Sequence, residues 1–153
     1  MRILAVGERM PRWVDDVVAD YARRLPPHLK LAVSAVPAGH RGSGGGTQAV
    51  QQEGQRLLAA LRTDEYPVAL DEHGRQFSTL QFSAWLGGRL QQGRDLAFLI
   101  GGPDGLAPTV LERCELEWSL SPLTLPHALV RAVLAEQLYR AHTVLCGHPY
   151  HRE

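Results

Sequence analysis

Short apolar runs of β character alternate along the chain with longer stretches whose apolar residues recur every three or four positions. Few folds accommodate that alternation. A strand followed by an amphipathic helix returns parallel to its predecessor, so the pattern predicts an α/β fold, a mostly parallel sheet flanked by helices. Strands are expected over residues 1–6, 29–36, 66–70, 96–101 and 115–119. Between the first two, Trp13, Val14, Val17, Val18, Tyr21 and Leu25 mark a helix with Pro11 near its first turn. Further helices are expected over 47–62 and about 78–92, the latter capped by Ser78 or Thr79 and weakened in its middle by Gly87 and Gly88. The longest begins at Pro126, carries Val130, Val133, Leu134, Leu138, Ala141 and Leu145 as one stripe, and stops at Gly147 and Pro149. Such a stripe packs into a core or against a second copy of the chain.

A chain of 153 residues fits one domain over 1–153, and a domain of that size buries about two thirds of its unfolded surface without a staple. Cys114 and Cys146 stand apart, with neither zinc-ligand nor disulfide spacing, which points to a reduced, cytoplasmic setting. The opening run Met1 to Gly7 is too brief for a signal peptide, and no apolar run approaches the length of a membrane span. Sixteen Lys and Arg balance sixteen Asp and Glu, which argues against binding long nucleic acid through bulk charge and leaves room for a local basic patch. Lys30 is the sole lysine. Arginine suits bidentate phosphate contacts, although codon bias raises its count equally well.

Several chemistries drop out on spacing. The run Gly42-Ser43-Gly44-Gly45-Gly46 has no Lys-Ser/Thr after it for a Walker loop, and Thr47 stands where a Rossmann motif needs its third glycine. It reads as a surface loop, with His40 and Arg41 beside it able to touch a phosphate. Arg41 occupies the place of the first glycine of a hydrolase elbow around Ser43. His142, His148 and His151 lie at a helix end and in a tail without a carboxylate partner, so no metal site is expected. The strongest local signal is Leu99-Ile100-Gly101-Gly102-Pro103-Asp104-Gly105-Leu106, a strand entering a glycine-rich turn. In open α/β sheets ligands bind beyond such strand ends, where bare glycine backbone allows close approach. Two more strand ends accompany it: Ala69-Leu70-Asp71-Glu72, and the proline-bounded loop from Trp118 through Ser121, Leu125 and Pro126 to His127, whose backbone groups suit an adenine edge.

These segments, with Met10-Pro11, Ala35-Val36-Pro37-Ala38-Gly39, Glu53-Gly54, Val130-Arg131, the run 135–141 and the tail His148-Pro149-Tyr150-His151-Arg152, resemble the ribosomal RNA large-subunit methyltransferase H family of the SPOUT group nearly end to end. The resemblance implies a C-terminal trefoil knot, a homodimer, and transfer of methyl from S-adenosyl-L-methionine to N3 of a pseudouridine in 23S ribosomal RNA. It departs from the family's pattern at the glycine insert and at His40, where a lysine is common. Carried over by position, the cofactor site comprises Leu70, Gly102, Ser121, Pro122, Leu123, Thr124, Leu125 and Pro126, with the glycines leaving room for the cofactor. Catalytic groups are then sought in the tail: His148 or His151 to take a proton, Tyr150 to stack on the base, Arg152 to hold an anionic edge or a phosphate. No single residue is assigned as the base. Glu136 and Arg140 are spaced for an ion pair, and Arg131 is a candidate to point into the pocket. Another RNA such as tRNA as substrate, or a non-catalytic ribosome-binding module, are the alternatives.

Overall fold

The structure is a computed structural model that describes residues 1–41 and 46–151. Residues 42–45 of the glycine loop and the tail residue Arg152 lie outside the described residues. Five strands, β1 (Arg2–Val6), β2 (Ala32–Val36), β3 (Tyr66–Gln76), β4 (Leu96–Ile100) and β5 (Leu116–Ser119), form one sheet in the order β2-β1-β4-β3-β5. Every pairing is parallel. Five α-helices cover it: α1 (Arg12–Arg24), α2 (Gly46–Ala60), α3 (Thr79–Gln91), α4 (Pro108–Arg113) and α5 (His127–Leu145).

Strand alternation decides which helix packs where. Ile3, Ala5, Val68, Phe98 and Ile100 point to one face, where Phe82 and Leu86 of α3 and Leu134, Leu138 and Ala141 of α5 cover them. Leu4, Val6, Ala69, Ala97 and Leu99 point to the other, under Leu57 of α2 and Val110 of α4. Both faces are thus dry, which is why β4, at the sheet's centre, is buried at all five positions. Val14 and Val18 of α1 pack on Ala135 of α5, and the buried Ser83 hydroxyl donates to the Ala141 carbonyl at 2.9 Å, tying α3 to α5. Most of the apolar stripe of α5, through Leu134, Leu138 and Ala141, is therefore turned into the chain's own core, and Leu145 at its end remains exposed.

Local chemistry sets the boundaries. Ser78 caps α3 in a reciprocal capping box with Gln81, and the helix continues through Gly87 and Gly88. The strand expected over 29–36 starts later, because Pro27 opens a 3₁₀ turn, Pro27–Leu29, closed by the Leu29 N–H on the Pro26 carbonyl at 2.8 Å. The helix α4 was not expected: six residues begun by Pro108 are too few for a periodic signal. Nor was the length of β3, which leaves its pairing with β5 after Leu70 and rejoins it at Arg75. A Cβ on Gly74 would stand 2.6 Å from the backbone of Glu117 and Trp118, so the excursion closes only on glycine.

Candidate active site at the carboxyl ends of three strands

Because β3, β4 and β5 run parallel side by side, their carboxyl ends open at the same edge, and with the turns that follow they enclose a cavity of about 600 Å³. That volume is in the range of small-molecule sites. Leu70, Asp71 and Glu72 enter from β3, the turn from Ile100 to Gly105 from β4, and Trp118 with the loop behind it from β5, while His127 and Val130 close it from the start of α5. Trp118 is fixed by stacking on Phe82, with ring centroids 4.0 Å apart.

The glycine turn is shaped by close backbone approach. A Cβ on Gly101 would lie 2.3 Å from the Gly105 carbonyl oxygen, and the Gly105 N–H donates to the Gly102 carbonyl at 3.1 Å, with Gly105 at φ +82°. The space a side chain on Gly102 would fill holds no ligand volume: its Cβ would come within 2.7 Å of Glu53 Oε2 and 3.0 Å of Arg41 Nη2. Glu53 is buried. Its Oε1 accepts from the Gly39 N–H at 2.8 Å and from Arg41 Nη1 at 3.0 Å, while no described residue hydrogen-bonds Oε2. Arg41 also donates through Nε to Asp104 at 3.0 Å, so one guanidinium joins α2 to the turn.

On the other wall, the loop between β5 and α5 is held by its own short polar side chains. Ser119 Oγ donates to the Ser121 carbonyl at 2.8 Å, Ser121 Oγ accepts from the Leu123 N–H at 2.9 Å, and Thr124 Oγ1 donates to Glu72 at 2.5 Å. The ionisable lining comprises Asp71, Glu72 and His127; no described lysine or arginine faces the cavity. Asp71 is engaged by the His73 N–H at 2.9 Å and Glu72 by Thr124, whereas no described residue hydrogen-bonds the His127 ring. Burial, then the charges of Arg131 and Arg41, hold His127 below the usual histidine value against a smaller opposing pull from Glu53.

Of the eight residues assigned to the cofactor, Leu70, Gly102, Ser121, Leu123, Thr124, Leu125 and Pro126 line this cavity; Pro122 is exposed and does not. The tail is elsewhere. His148, Tyr150 and His151 line no part of the cavity. Tyr150 accepts from the Tyr21 hydroxyl at 3.1 Å and donates to Glu136 at 3.0 Å, beneath Arg140, whose guanidinium lies 4.8 Å from its ring centroid. Burial and these bonds push the Tyr150 phenol well above its ordinary value. His151 Nδ1 lies 3.4 Å from Arg140 Nη1, and His148 Nδ1 accepts from the Tyr150 N–H at 3.2 Å. The Glu136 and Arg140 pair forms as its spacing predicts. Arg131 does not point into the pocket: it is buried, donating to the carbonyls of Val6 at 2.6 Å and Gly7 at 2.8 Å, at the end of β1.

The sequence reading assigned no role to the side chains of His127, Asp71 and Glu72, which line the cavity, or of Glu53, which is buried behind the glycine turn, although each lies in a segment it singled out. A signal existed for Glu53: it falls between Ala49 and Leu57 at four-residue steps, so a carboxylate occupies a core register of α2. A second cavity of about 440 Å³, bordered by His28, Leu90, Arg94, His142 and Cys146, lies by the amino end of β4. Among the described residues, no cluster of three metal-ligating side chains occurs, and no helix is long and apolar enough to cross a membrane.

Residues 1–151 match the family described as "Predicted SPOUT methyltransferase". Two relatives called ribosomal RNA large subunit methyltransferase H are similar over their whole length. That of Thioalkalivibrio sulfidiphilus is 51% identical over 154 residues, covering 100% of this chain and 99% of the relative. That of Pseudomonas fluorescens is 46% identical over 153 residues, covering 99% of each. Among solved structures, a probable methylase family protein from Haemophilus influenzae Rd KW20 shares the fold at a TM-score of 0.55 and 12% identity, over 99% of this chain and 70% of that one. The SpoU methyltransferase AviRb from Streptomyces viridochromogenes, solved in complex with AdoMet, aligns at a TM-score of 0.50 and 16% identity, over 93% of this chain and 57% of that one. The parallel sheet, the glycine turn at its carboxyl edge and the full-length match agree: the chain belongs to the SPOUT methyltransferase family.

Proposed function

We propose that this chain methylates N3 of a pseudouridine in 23S ribosomal RNA, using S-adenosyl-L-methionine bound in the cavity at the carboxyl ends of β3, β4 and β5. The observation that carries the reading is the charge of that cavity. Its only charged lining among the described residues is carboxylate, from Asp71 and Glu72. That suits a nucleoside bearing a sulfonium and an ammonium, and disfavours a phosphorylated ligand. Trp118, Leu70, Leu125 and Val130 supply the apolar walls, and the loop from Ser121 to Pro126, held by its own hydrogen bonds, supplies the edge on which an adenine would rest. When bound, the cofactor supplies an activated methyl group. The protein's own part is to hold the cofactor between glycine turn and loop, exclude water from it, and receive the base's proton.

The reading includes a single catalytic domain in the cytoplasm, a trefoil threading of the C-terminal half, and a homodimer in which the tail of one protomer completes the site of the other. Two features support the last point. His148, Tyr150 and His151 pack on their own α5 away from their own cavity, and Trp13, Leu123 and Leu129 remain exposed for a contact between copies. Arg152 belongs to the same tail.

Incubating the protein with ribosomes and with purified RNA from a strain lacking the gene, then digesting to nucleosides for mass spectrometry, tests the substrate. 3-Methylpseudouridine in the 23S fraction is expected. Methylation confined to transfer RNA would favour that alternative substrate, and cofactor binding without transfer to any RNA a silent ribosome-binding module. Mixing a cofactor-deficient protomer with one truncated before His148 tests the shared site: activity returns in verified heterodimers only if the tail acts across the interface.

A further inference from the structure

We propose that His127 is the group that accepts the imide proton of the target base. The inference rests on the function proposed above and assigns the one step that reading leaves without an owner. An imide nitrogen must lose its proton as it gains a methyl group, so a base belongs beside the reacting atoms. Among the described residues three ionisable side chains line the cavity, and two already have partners: Asp71 holds the His73 N–H and Glu72 holds the Thr124 hydroxyl. His127 lines the cavity with no described hydrogen-bond partner, at the first residue of α5 where the β5–α5 loop ends.

Its surroundings keep its lone pair available. Arg131, one helical turn on, and Arg41, bridging Glu53 and Asp104, oppose a second proton on the ring; Glu53 is the nearby anion that favours it, and Asp71 and Glu72 lie in the same cavity lining. Burial opposes that proton more than either arginine does, and the position at a helix N-terminus acts in the same direction. The tail is less suited to the step in this chain: His148 Nδ1 accepts from the Tyr150 N–H, His151 Nδ1 lies against Arg140, and neither ring lines the cavity. In the reaction His127 takes the N3 proton, the electron pair left on nitrogen forms the bond to methyl, and the pair of the broken methyl–sulfur bond stays on sulfur as a neutral thioether. The imidazolium then releases its proton to solvent.

Two readouts test this on the full chain. In protein labelled with ¹³C-histidine, the resonance lost in His127→Gln identifies the ring. Its titration midpoint is expected below about 6.5, lower still with S-adenosylmethionine than with the uncharged thioether product, and raised in Arg41→Gln. Separately, the acid limb of the kcat/KM profile should coincide with that midpoint. His127→Gln should lose the limb and about 10²-fold or more in rate at saturating cofactor, with cofactor binding still detectable by calorimetry. A midpoint at or above 6.5 that neither ligand charge nor Arg41→Gln moves would overturn the proposal. So would a folded His127→Gln variant with wild-type rate and pH profile. Wild-type protein that binds no cofactor or methylates no ribosomal RNA would instead bring down the function on which it rests.

Discussion

Replacing Gly101 by alanine places the smallest possible side chain where the turn has no space for one. The new Cβ would lie 2.3 Å from the Gly105 carbonyl oxygen, 2.5 Å from its carbon and 2.9 Å from the Leu106 nitrogen, all backbone atoms with no rotamer to yield. Ordinary contact needs about 1 Å more, so the turn must open, and it is closed by the bridge between Gly102 and Gly105, with the Gly105 N–H donating to the Gly102 carbonyl. Overpacking of this kind costs about 1–3 kcal/mol, and losing the bond adds about 1 kcal/mol. A destabilisation of about 2–4 kcal/mol should therefore appear in urea unfolding as a lowered midpoint with an unchanged slope. Gly101 and Gly102 are also cavity wall. A shift of about 1 Å at a ligand-positioning surface costs on the order of 10²-fold in activity. Calorimetry with S-adenosylmethionine should accordingly show affinity weakened well beyond tenfold at temperatures where the variant stays folded. A Gly101→Ala protein with wild-type stability and cofactor affinity would refute both the turn geometry and its place in the site.

Gly88 is the control: it lies inside α3 with nothing within 4 Å of a built Cβ, so Gly88→Ala should stabilise by about 0.5–1 kcal/mol in the same titration. Burial and Glu117 push the Cys114 thiol up to about 12 while Cys146 is exposed; iodoacetamide at pH 8 should label Cys146 and leave Cys114 intact until the protein is unfolded. His127 and His142 both titrate below the usual histidine value, burial being the first cause in each. The unfolded chain then takes up protons that the native chain refuses, so their contribution is complete above about pH 6.5 and falls away as the pH drops toward their folded values. Chemical denaturation midpoints measured from pH 8 to 5 should decline, and the decline should shrink in His127→Gln/His142→Gln.

The architecture was legible because period-2 and period-3.6 patterns both report burial, and burial decides this fold: the strand expected over 96–101 and the helix α3 appear within a residue or two of where the pattern puts them, and the strand expected over 66–70 starts at Tyr66 as read. What stayed hidden is governed by contacts remote in sequence. The excursion of β3 between Leu70 and Arg75 depends on Gly74 meeting β5, and α4 is too short for periodicity to register. The apolar stripe of α5 announced a packing surface but not which one, and it faces its own core. At the site, the loop through Ser121 to Pro126 and the glycine turn were readable as segments. The partnership of Glu53 with Arg41, and the way Arg131 turns from the cavity to the end of β1, depend on side-chain directions that no spacing encodes.

The proposed cofactor site is the cavity at the carboxyl edge of β3, β4 and β5. Amide chemical shifts of ¹⁵N-labelled protein titrated with S-adenosylmethionine test it most directly. Saturable shifts are expected at Leu70, Gly101, Gly102, Gly105, Ser121, Leu123, Thr124, Leu125 and His127, with His28, Leu90, Arg94 and Cys146 around the second cavity unmoved. Saturable shifts confined to that second group, or no shifts at millimolar cofactor, would contradict it.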